Sequence, residues 1–219
     1  MAFTEDNISQ IPAIKLLITL GYTYLTPTET IELRGGKNTA VILEPILREQ
    51  LKKINRIKIG SKTAEFSDTN IEKSIHALKD IPLVEGLVNA SNEAYNMLLF
   101  GHALEQSLEG DKKSHTVQYI DWENPTNNVF HVTEEFEVMR TGRKDTYRPD
   151  IVVFVNGIPL VIIECKSPTI KEPIREAISQ HIRNQQENAI QSLYVYSQIL
   201  LSTSLVEAKY ATTNTKEEF

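Results

Sequence analysis

Three charged side chains sit at the ends of two apolar runs within Tyr147–Pro168 (Y-R-P-D-I-V-V-F-V-N-G-I-P-L-V-I-I-E-C-K-S-P). Asp150 opens the first run, and Glu164 and Lys166 close the second. Side chains alternate along a strand, so Glu164 and Lys166 are expected on one face and Cys165 on the other. Asn156-Gly157 between the runs predicts a tight hairpin. A hairpin lays the start of its first strand beside the end of its second. Asp150 and Glu164, 14 positions apart in sequence, are therefore expected to meet. Two adjoining carboxylates repel, and one takes up a proton unless a cation lies between them. A few hard oxygen ligands, with water completing the shell, suit Mg²⁺, for which Mn²⁺ can substitute. The backbone carbonyl of Cys165, between the two functional positions, is a further expected metal ligand. A cation held there would polarise a phosphate ester and help generate hydroxide. Lys166 is expected to orient or deprotonate the attacking water, or to neutralise charge on the pentavalent phosphorane.

The competing reading is an ion pair at a strand end, worth under about 1 kcal/mol. The runs V-V-F-V and L-V-I-I argue against it. Strands without a polar face are buried on both sides in the middle of a sheet and leave no solvent face for a casual pair.

The elements that must position this hairpin fall into two groups. Residues 4–20 carry Ile8, Ile11, Ile14, Leu17 and Ile18 at helical spacing, with Thr4 as N-cap, Glu5 and Asp6 in the first turn and Gly21 as the stop. Pro27 and Gly35-Gly36 mark a loop, and G-G-K-N-T lacks the earlier glycine of a phosphate loop. Helices are predicted over 39–54, shortened or kinked at Pro45, over 70–79 with Asp68 or Thr69 as cap, and along 83–108, interrupted near Gly86 or Gly101. From about residue 115 the pattern changes to alternation: strands over 115–122 and 129–139, then the hairpin. A helix over 172–189 follows, with Ile174, Ile178 and Ile182 on one face, and then strand candidates at 193–203 and 205–211. The expected architecture is an α/β (α+β) fold with a mixed sheet flanked by helices and a mostly helical N-terminal portion.

The chain has 219 residues, 41% of them hydrophobic and 24% charged, enough for a real core and not the composition of a disordered segment. No apolar run approaches the roughly 18 residues of a membrane span, and the N-terminus lacks a signal-peptide pattern. A single cysteine, Cys165, allows no intrachain disulfide and points to a reducing, cytoplasmic setting. Cys165 itself reads as a packed core residue. The five histidines show no zinc-ligand spacing. The net charge of −6 speaks against a chain that grips DNA unaided. It is compatible with an acidic metal site whose DNA is delivered by other parts of a complex.

The segment R-P-D-I-V-V-F-V-N-G-I-P-L-V-I-I-E-C-K-S-P resembles the N-terminal nuclease domain of the restriction (R, motor) subunit of type I restriction-modification enzymes, in the PD-(D/E)xK superfamily. Tyr119–Trp122 with Asn124–Phe130, Leu20–Tyr22 and Asn92–Gly101 extend the resemblance over nearly the whole chain. It implies a restriction-endonuclease-like core over 115–211, a helical portion over 1–114 whose helix 4–20 belongs to the nuclease fold, and the start of a linker at 212–219. An ATP-driven translocase of helicase superfamily 2 would follow, so ATP would act only through that motor. The resemblance implies double-stranded DNA, the methyltransferase and specificity subunits, and the subunit's own motor as partners. Its activity would be Mg²⁺-dependent cleavage of unmodified foreign DNA after translocation, weak or absent in a fragment of this size. Residue by residue, Asp150 and Glu164 match the metal-binding acids and Lys166 the catalytic lysine. Gln180 matches the glutamine of a Q-x-x-x-Y motif on the following helix, but Asn184 stands where that motif has tyrosine. Glu5 is the position that matches a metal-binding glutamate from the first helix. Arg148 and Arg183 are candidate phosphate contacts. The alternative is a catalytically weak docking module of nuclease fold that contacts the motor or methyltransferase.

Overall fold

The structure is a computed structural model, describing residues 9–216 other than Ser61 and Glu109. The expected cap Thr4 and candidate ligand Glu5 lie outside the described residues. A six-stranded mixed sheet organises the molecule, in the order β1 (Thr23–Tyr24), β6 (Phe130–Glu134), β9 (Ile151–Val155), β10 (Ile158–Cys165), β11 (Ile199–Thr203), β12 (Ala208–Ala211). β1–β6 and β10–β11 pair in parallel, and the remaining neighbours are antiparallel. The two predicted apolar strands are therefore its middle pair. Ile151, Val152, Val153 and Phe154 on β9, and Ile158, Ile162, Ile163 and Cys165 on β10, are all buried, as strands without a polar face require.

The turn between them has the chemistry its sequence calls for. Asn156 and Gly157 have φ of 53° and 82°, the two positive values of a turn that matches strand twist. The turn is also a clamp. The Asn156 amide donates to Tyr119 O (2.9 Å) and Asn128 Oδ1 (2.7 Å), and its Oδ1 accepts from the Val129 N–H (2.9 Å). Gly157 O accepts from the Leu43 N–H at 2.9 Å.

Alternation along β9 and β10 divides the core in two. Ile151, Val153, Ile163 and Cys165 face α1 (Ile11–Thr19) through Ile14. Val152, Phe154, Ile158 and Ile162 face the larger cluster. That cluster draws on α3 (Glu44–Ile54), α4 (Asp68–Lys79), α5 (Leu87–Phe100) and α7 (Gln191–Tyr194). Among the described residues no helix is long and apolar enough to cross a membrane.

Several elements differ from the sequence expectation. The stretch after Pro27, expected as loop, is α2 (Pro27–Leu33), opened by a capping box. Its Glu29 N–H donates to Thr26 Oγ1 (3.2 Å), and its Glu29 carboxylate accepts from the Thr26 N–H (2.7 Å). Pro45 shortens the helix predicted over 39–54, which starts at Glu44, rather than kinking it. It sits in the first turn of α3, where no N–H is needed. Ser67, not Asp68 or Thr69, caps α4, its side chain accepting from the Asn70 N–H. Between two of the predicted helices lies the short hairpin of β2 (Ile57–Ile59) and β3 (Lys62–Ala64). The helical stretch predicted over 83–108 is interrupted at both expected glycines: α5 starts after Gly86 and ends at Phe100, where Gly101 turns the chain with φ 74°. Residues 102–108 are instead β4 (His102–Leu108), paired with β5 (Asp111–Val117). Ala, Leu, Glu and Gln favour helix in that stretch, and pairing with the adjacent strand overrides them. The predicted strand over 129–139 breaks at Glu135 (φ 48°), leaving β7 (Val138–Met139), which pairs with β8 (Thr146–Tyr147) in a separate ribbon. The strand candidate at 193–203 begins as α7 and becomes β11 only at Ile199.

Candidate active site

Asp150 immediately precedes β9, opposite the end of β10. Its backbone is held by two donors: Asp150 O accepts from the Glu135 N–H (3.0 Å) and the Gln10 side-chain amide (3.1 Å). Its carboxylate turns to the β10 backbone, where Oδ2 accepts from the Cys165 N–H at 2.6 Å. Lys166 is fixed through its main chain, donating N–H to Thr203 O (2.9 Å) and accepting at its carbonyl from the Ser9 hydroxyl (3.0 Å). Ser9 and Gln10 thus bring the start of the described chain to the site. Sequence reading gave no signal for either, because an isolated Ser or Gln has no periodic partner.

Glu164 and Lys166 project from the same face of β10 toward Asp150. The Lys166 ammonium donates to Cys165 O at 3.0 Å and lies 3.7 Å from Asp150 Oδ2. Glu164 is fully buried. Desolvation, followed by the charge of Asp150, pushes its carboxyl well above the ordinary range, and a hydrogen bond to Asp150 adds to the effect. Lys166 and Arg183 pull the other way. Burial and the neighbouring Asp150 charge thus favour the protonated form of Glu164.

The helix α6 (Pro173–Asn184) covers this face, packing on β10 and β11. Its inward stripe is Ile174, Ala177, His181 and Asn184, not the expected Ile174, Ile178 and Ile182. The 3.6-residue repeat sets that stripe, and polar residues occupy it because each finds a partner. Gln180 donates to Glu164 Oε2 at 2.5 Å, and the Asn184 amide donates to Glu164 Oε1 at 3.3 Å. Asn184, the departure from the expected tyrosine, is therefore a direct partner of the buried acid. Arg183 bonds Asn184 Oδ1 (3.4 and 3.3 Å) and lies over the Tyr147 ring. Arg148 pairs with Glu135 at 3.6 Å on the surface. His181 is buried between Tyr194 and Leu201, and desolvation pushes its pKa down to about 4. Spacing analysis dismissed the histidines as zinc ligands and passed over this one, because one helix face of mixed polar residues resembles a solvated face.

Asp150, Glu164, Lys166, Gln180 and the Cys165 carbonyl are thus brought together. The oxygen set fits a small hard cation. Two carboxylates and a carbonyl converge, and the Lys166 ammonium already bridges two of the three. Among the described residues no group of three or more acidic, histidine or cysteine side chains gathers there. So few protein ligands would leave the rest of an Mg²⁺ shell to water, which that ion gives up reluctantly.

A family model described as "Type I restriction enzyme R protein N terminus" matches residues 2–219. Over 117 residues the chain is 40% identical to a Methanocaldococcus jannaschii protein named as a candidate endonuclease subunit (MjaIXP) of a type I restriction enzyme, a match covering 53% of this chain and 11% of that relative. It is 28% identical over 210 residues to the HindI endonuclease subunit of Haemophilus influenzae, covering 94% of this chain and 19% of the relative. It is 27% identical over 207 residues to the EcoprrI endonuclease subunit of Escherichia coli, covering 94% and 58% respectively. The chain therefore spans only part of the length of these relatives. It belongs to the family formed by the N termini of type I restriction enzyme R proteins.

Proposed function

We propose that this chain carries the Mg²⁺-dependent DNA endonuclease centre of a type I restriction enzyme endonuclease subunit. The reaction is phosphodiester hydrolysis in unmodified foreign double-stranded DNA. ATP-driven translocation would be supplied by a motor in the remainder of the subunit, and site choice by specificity and methyltransferase subunits. One observation carries the reading: the Lys166 ammonium bridges the Cys165 carbonyl and the Asp150 carboxylate beside the fully buried Glu164. The cluster is built for more positive charge than the chain itself provides.

Asp150, Glu164 and the Cys165 carbonyl would hold the metal, with Mn²⁺ able to replace Mg²⁺. When bound, Mg²⁺ supplies Lewis-acid polarisation of the scissile phosphate. The remaining roles belong to the chain. Asp150 is oriented by the Cys165 N–H and by its own anchored backbone. Gln180 and Asn184 each spend an N–H on one Glu164 oxygen, which keeps that carboxylate in a single orientation once it loses its proton. Lys166, released from its bridging position, holds positive charge beside the reacting phosphate and orients the attacking water or, as the neutral amine instead, deprotonates it.

The test is Lys166→Ala and Asp150→Ala in the full-length subunit, assayed with its partner subunits. DNA cleavage should fall by about 10²–10³-fold or more while ATPase activity persists. Undiminished cleavage by both variants would contradict the proposal and favour the docking-module reading.

A further inference from the structure

Two guanidiniums lie against one aromatic ring beside this cluster. Tyr147 of β8 stands three residues before Asp150 in the chain. The Arg140 guanidinium carbon is 4.5 Å from its ring centroid, and that of Arg183, on α6, is 4.9 Å away. Both are cation–π distances. The ring is half-buried and packs against the larger apolar cluster, which fixes its faces. Its hydroxyl makes no hydrogen bond among the described residues. The ribbon that carries Tyr147 is tied to the segment after α6. There the Thr141 N–H donates to Ala189 O (2.9 Å) and the Arg140 Nε–H to Asn188 O (3.1 Å).

The charges near this ring are not equivalent. Arg140 pairs with Asp145 at 2.8 Å, and Arg148 pairs with Glu135 at 3.6 Å. Arg183 is exposed and donates to no carboxylate among the described residues. Its Nε and Nη2 reach only the neutral Asn184 Oδ1, at 3.4 and 3.3 Å, the long end of the hydrogen-bond range. Acids outnumber bases in this chain, 29 to 23, so carboxylate partners are plentiful. An arginine left without one, yet held by a ring, is set to meet an anion from outside. An unsupported arginine would give up its rotamers on meeting that anion, and the stack has already removed part of this cost. The location identifies the anion. Asn184, next in sequence, donates to Glu164 Oε1 at 3.3 Å, so the guanidinium stands one hydrogen-bonded side chain from the acid assigned to the metal. The anion nearest such a centre is the backbone of the strand being cut. A planar guanidinium matches a phosphate with two parallel N–H donors.

We propose that Arg183 binds a DNA backbone phosphate flanking the scissile one, and that Tyr147 is a positioning residue that presents it. The inference rests on the proposed function in taking DNA as the substrate, and it gives the phosphate contact to Arg183 rather than Arg148.

Cleavage and ATPase of Arg183→Gln, Tyr147→Leu and Tyr147→Phe, in the full-length subunit with its partner subunits, test it. Arg183→Gln should slow cleavage about tenfold or more, the range for a hydrogen bond to a charged group, with ATPase at the wild-type level. Tyr147→Leu should slow cleavage about two- to fivefold, as loss of an exposed cation–π contact does. Tyr147→Phe keeps the ring and should cut like wild type. A lost phosphate contact also has a salt signature. The Arg183→Gln deficit should narrow as KCl rises, the slope of log rate against log salt being about one unit shallower than for wild type. Mn²⁺ affinity of Arg183→Gln, by calorimetry on the 219-residue chain, should equal that of wild type. A deficit independent of salt is the outcome of a packing role and overturns the inference. So does Mn²⁺ affinity that falls in step with cleavage, which would mean that Arg183 serves Glu164 through Asn184. Tyr147→Phe as slow as Tyr147→Leu overturns the role given to the ring. If Asp150→Ala and Lys166→Ala cut normally, the functional reading fails and this inference with it. If they do not cut while Arg183→Gln cuts like wild type, this inference alone fails.

Discussion

Burying Glu164 completely beside Asp150 costs stability that a cation can return. The sign follows from proton counting. Its folded carboxyl holds a proton to higher pH than the ordinary value of 4.5. Above that value the folded state binds more protons than the unfolded chain, so this group's contribution to stability declines as pH rises through the window. Glu164→Gln keeps the size and removes the titration. In metal-free buffer at neutral pH it should raise stability, by about 0.5–2 kcal/mol, in a urea titration. The advantage should shrink toward pH 4, and a difference independent of pH would contradict the assignment. Metal displaces the same proton, so wild-type Mn²⁺ affinity should climb with pH by up to about tenfold per unit, then level off. Calorimetry between pH 5 and 8 reads this directly. At this scale Asp150, Glu164 and Lys166 were legible because type, spacing and a hairpin suffice to bring them together. His181 and Asn184 were not. Their significance lies in which carbonyl and which carboxylate they meet, and those partners lie on strands distant in sequence.

The element that sets the site's geometry is the β9–β10 hairpin, through the turn at its far end. A Cβ at Gly157 would lie 2.6 Å from Leu43 O and 3.1 Å from Leu47 N, in a conformation that already disfavours side chains. Gly157→Ala should therefore cost about 1–3 kcal/mol in chemical denaturation. Because the turn sets register, metal affinity should fall with it. Asn-Gly between apolar runs was readable as a hairpin because the turn chemistry is local. The capping box of α2 was equally local, in T-P-T-E, but the neighbouring prolines and glycines drew the reading to a loop. The strand β4 was not readable, since His102–Leu108 has helix-forming composition and becomes a strand through its pairing with Asp111–Val117. The inward stripe of α6 was misread because apolar periodicity follows Ile174, Ile178 and Ile182. The buried positions after Ala177 are polar and satisfied.

Across the whole molecule, one apolar cluster joins α3, α4 and α5 to β9, β10 and α7. Leu47 and Leu51 of α3 are fully buried in it together with Phe154 and Ile158 of the hairpin. Leu47→Ala should cost about 2–5 kcal/mol. Trp122 fluorescence and far-UV circular dichroism should still report coincident unfolding transitions, and two separated transitions would show that the helical layer melts independently of the sheet. The sequence carried the fold class, since helical spacing gives way to alternation near residue 115. It did not carry the sheet order, which places β1, from the N-terminal portion, on the edge beside β6. A divalent cation held by Asp150, Glu164 and the Cys165 carbonyl would be located by anomalous scattering from a crystal of this chain grown with Mn²⁺. One anomalous peak should appear among those three ligands, with the Lys166 ammonium displaced from the Cys165 carbonyl. A crystal with Mn²⁺ bound elsewhere, and Lys166 still bridging Asp150 and Cys165, would contradict it.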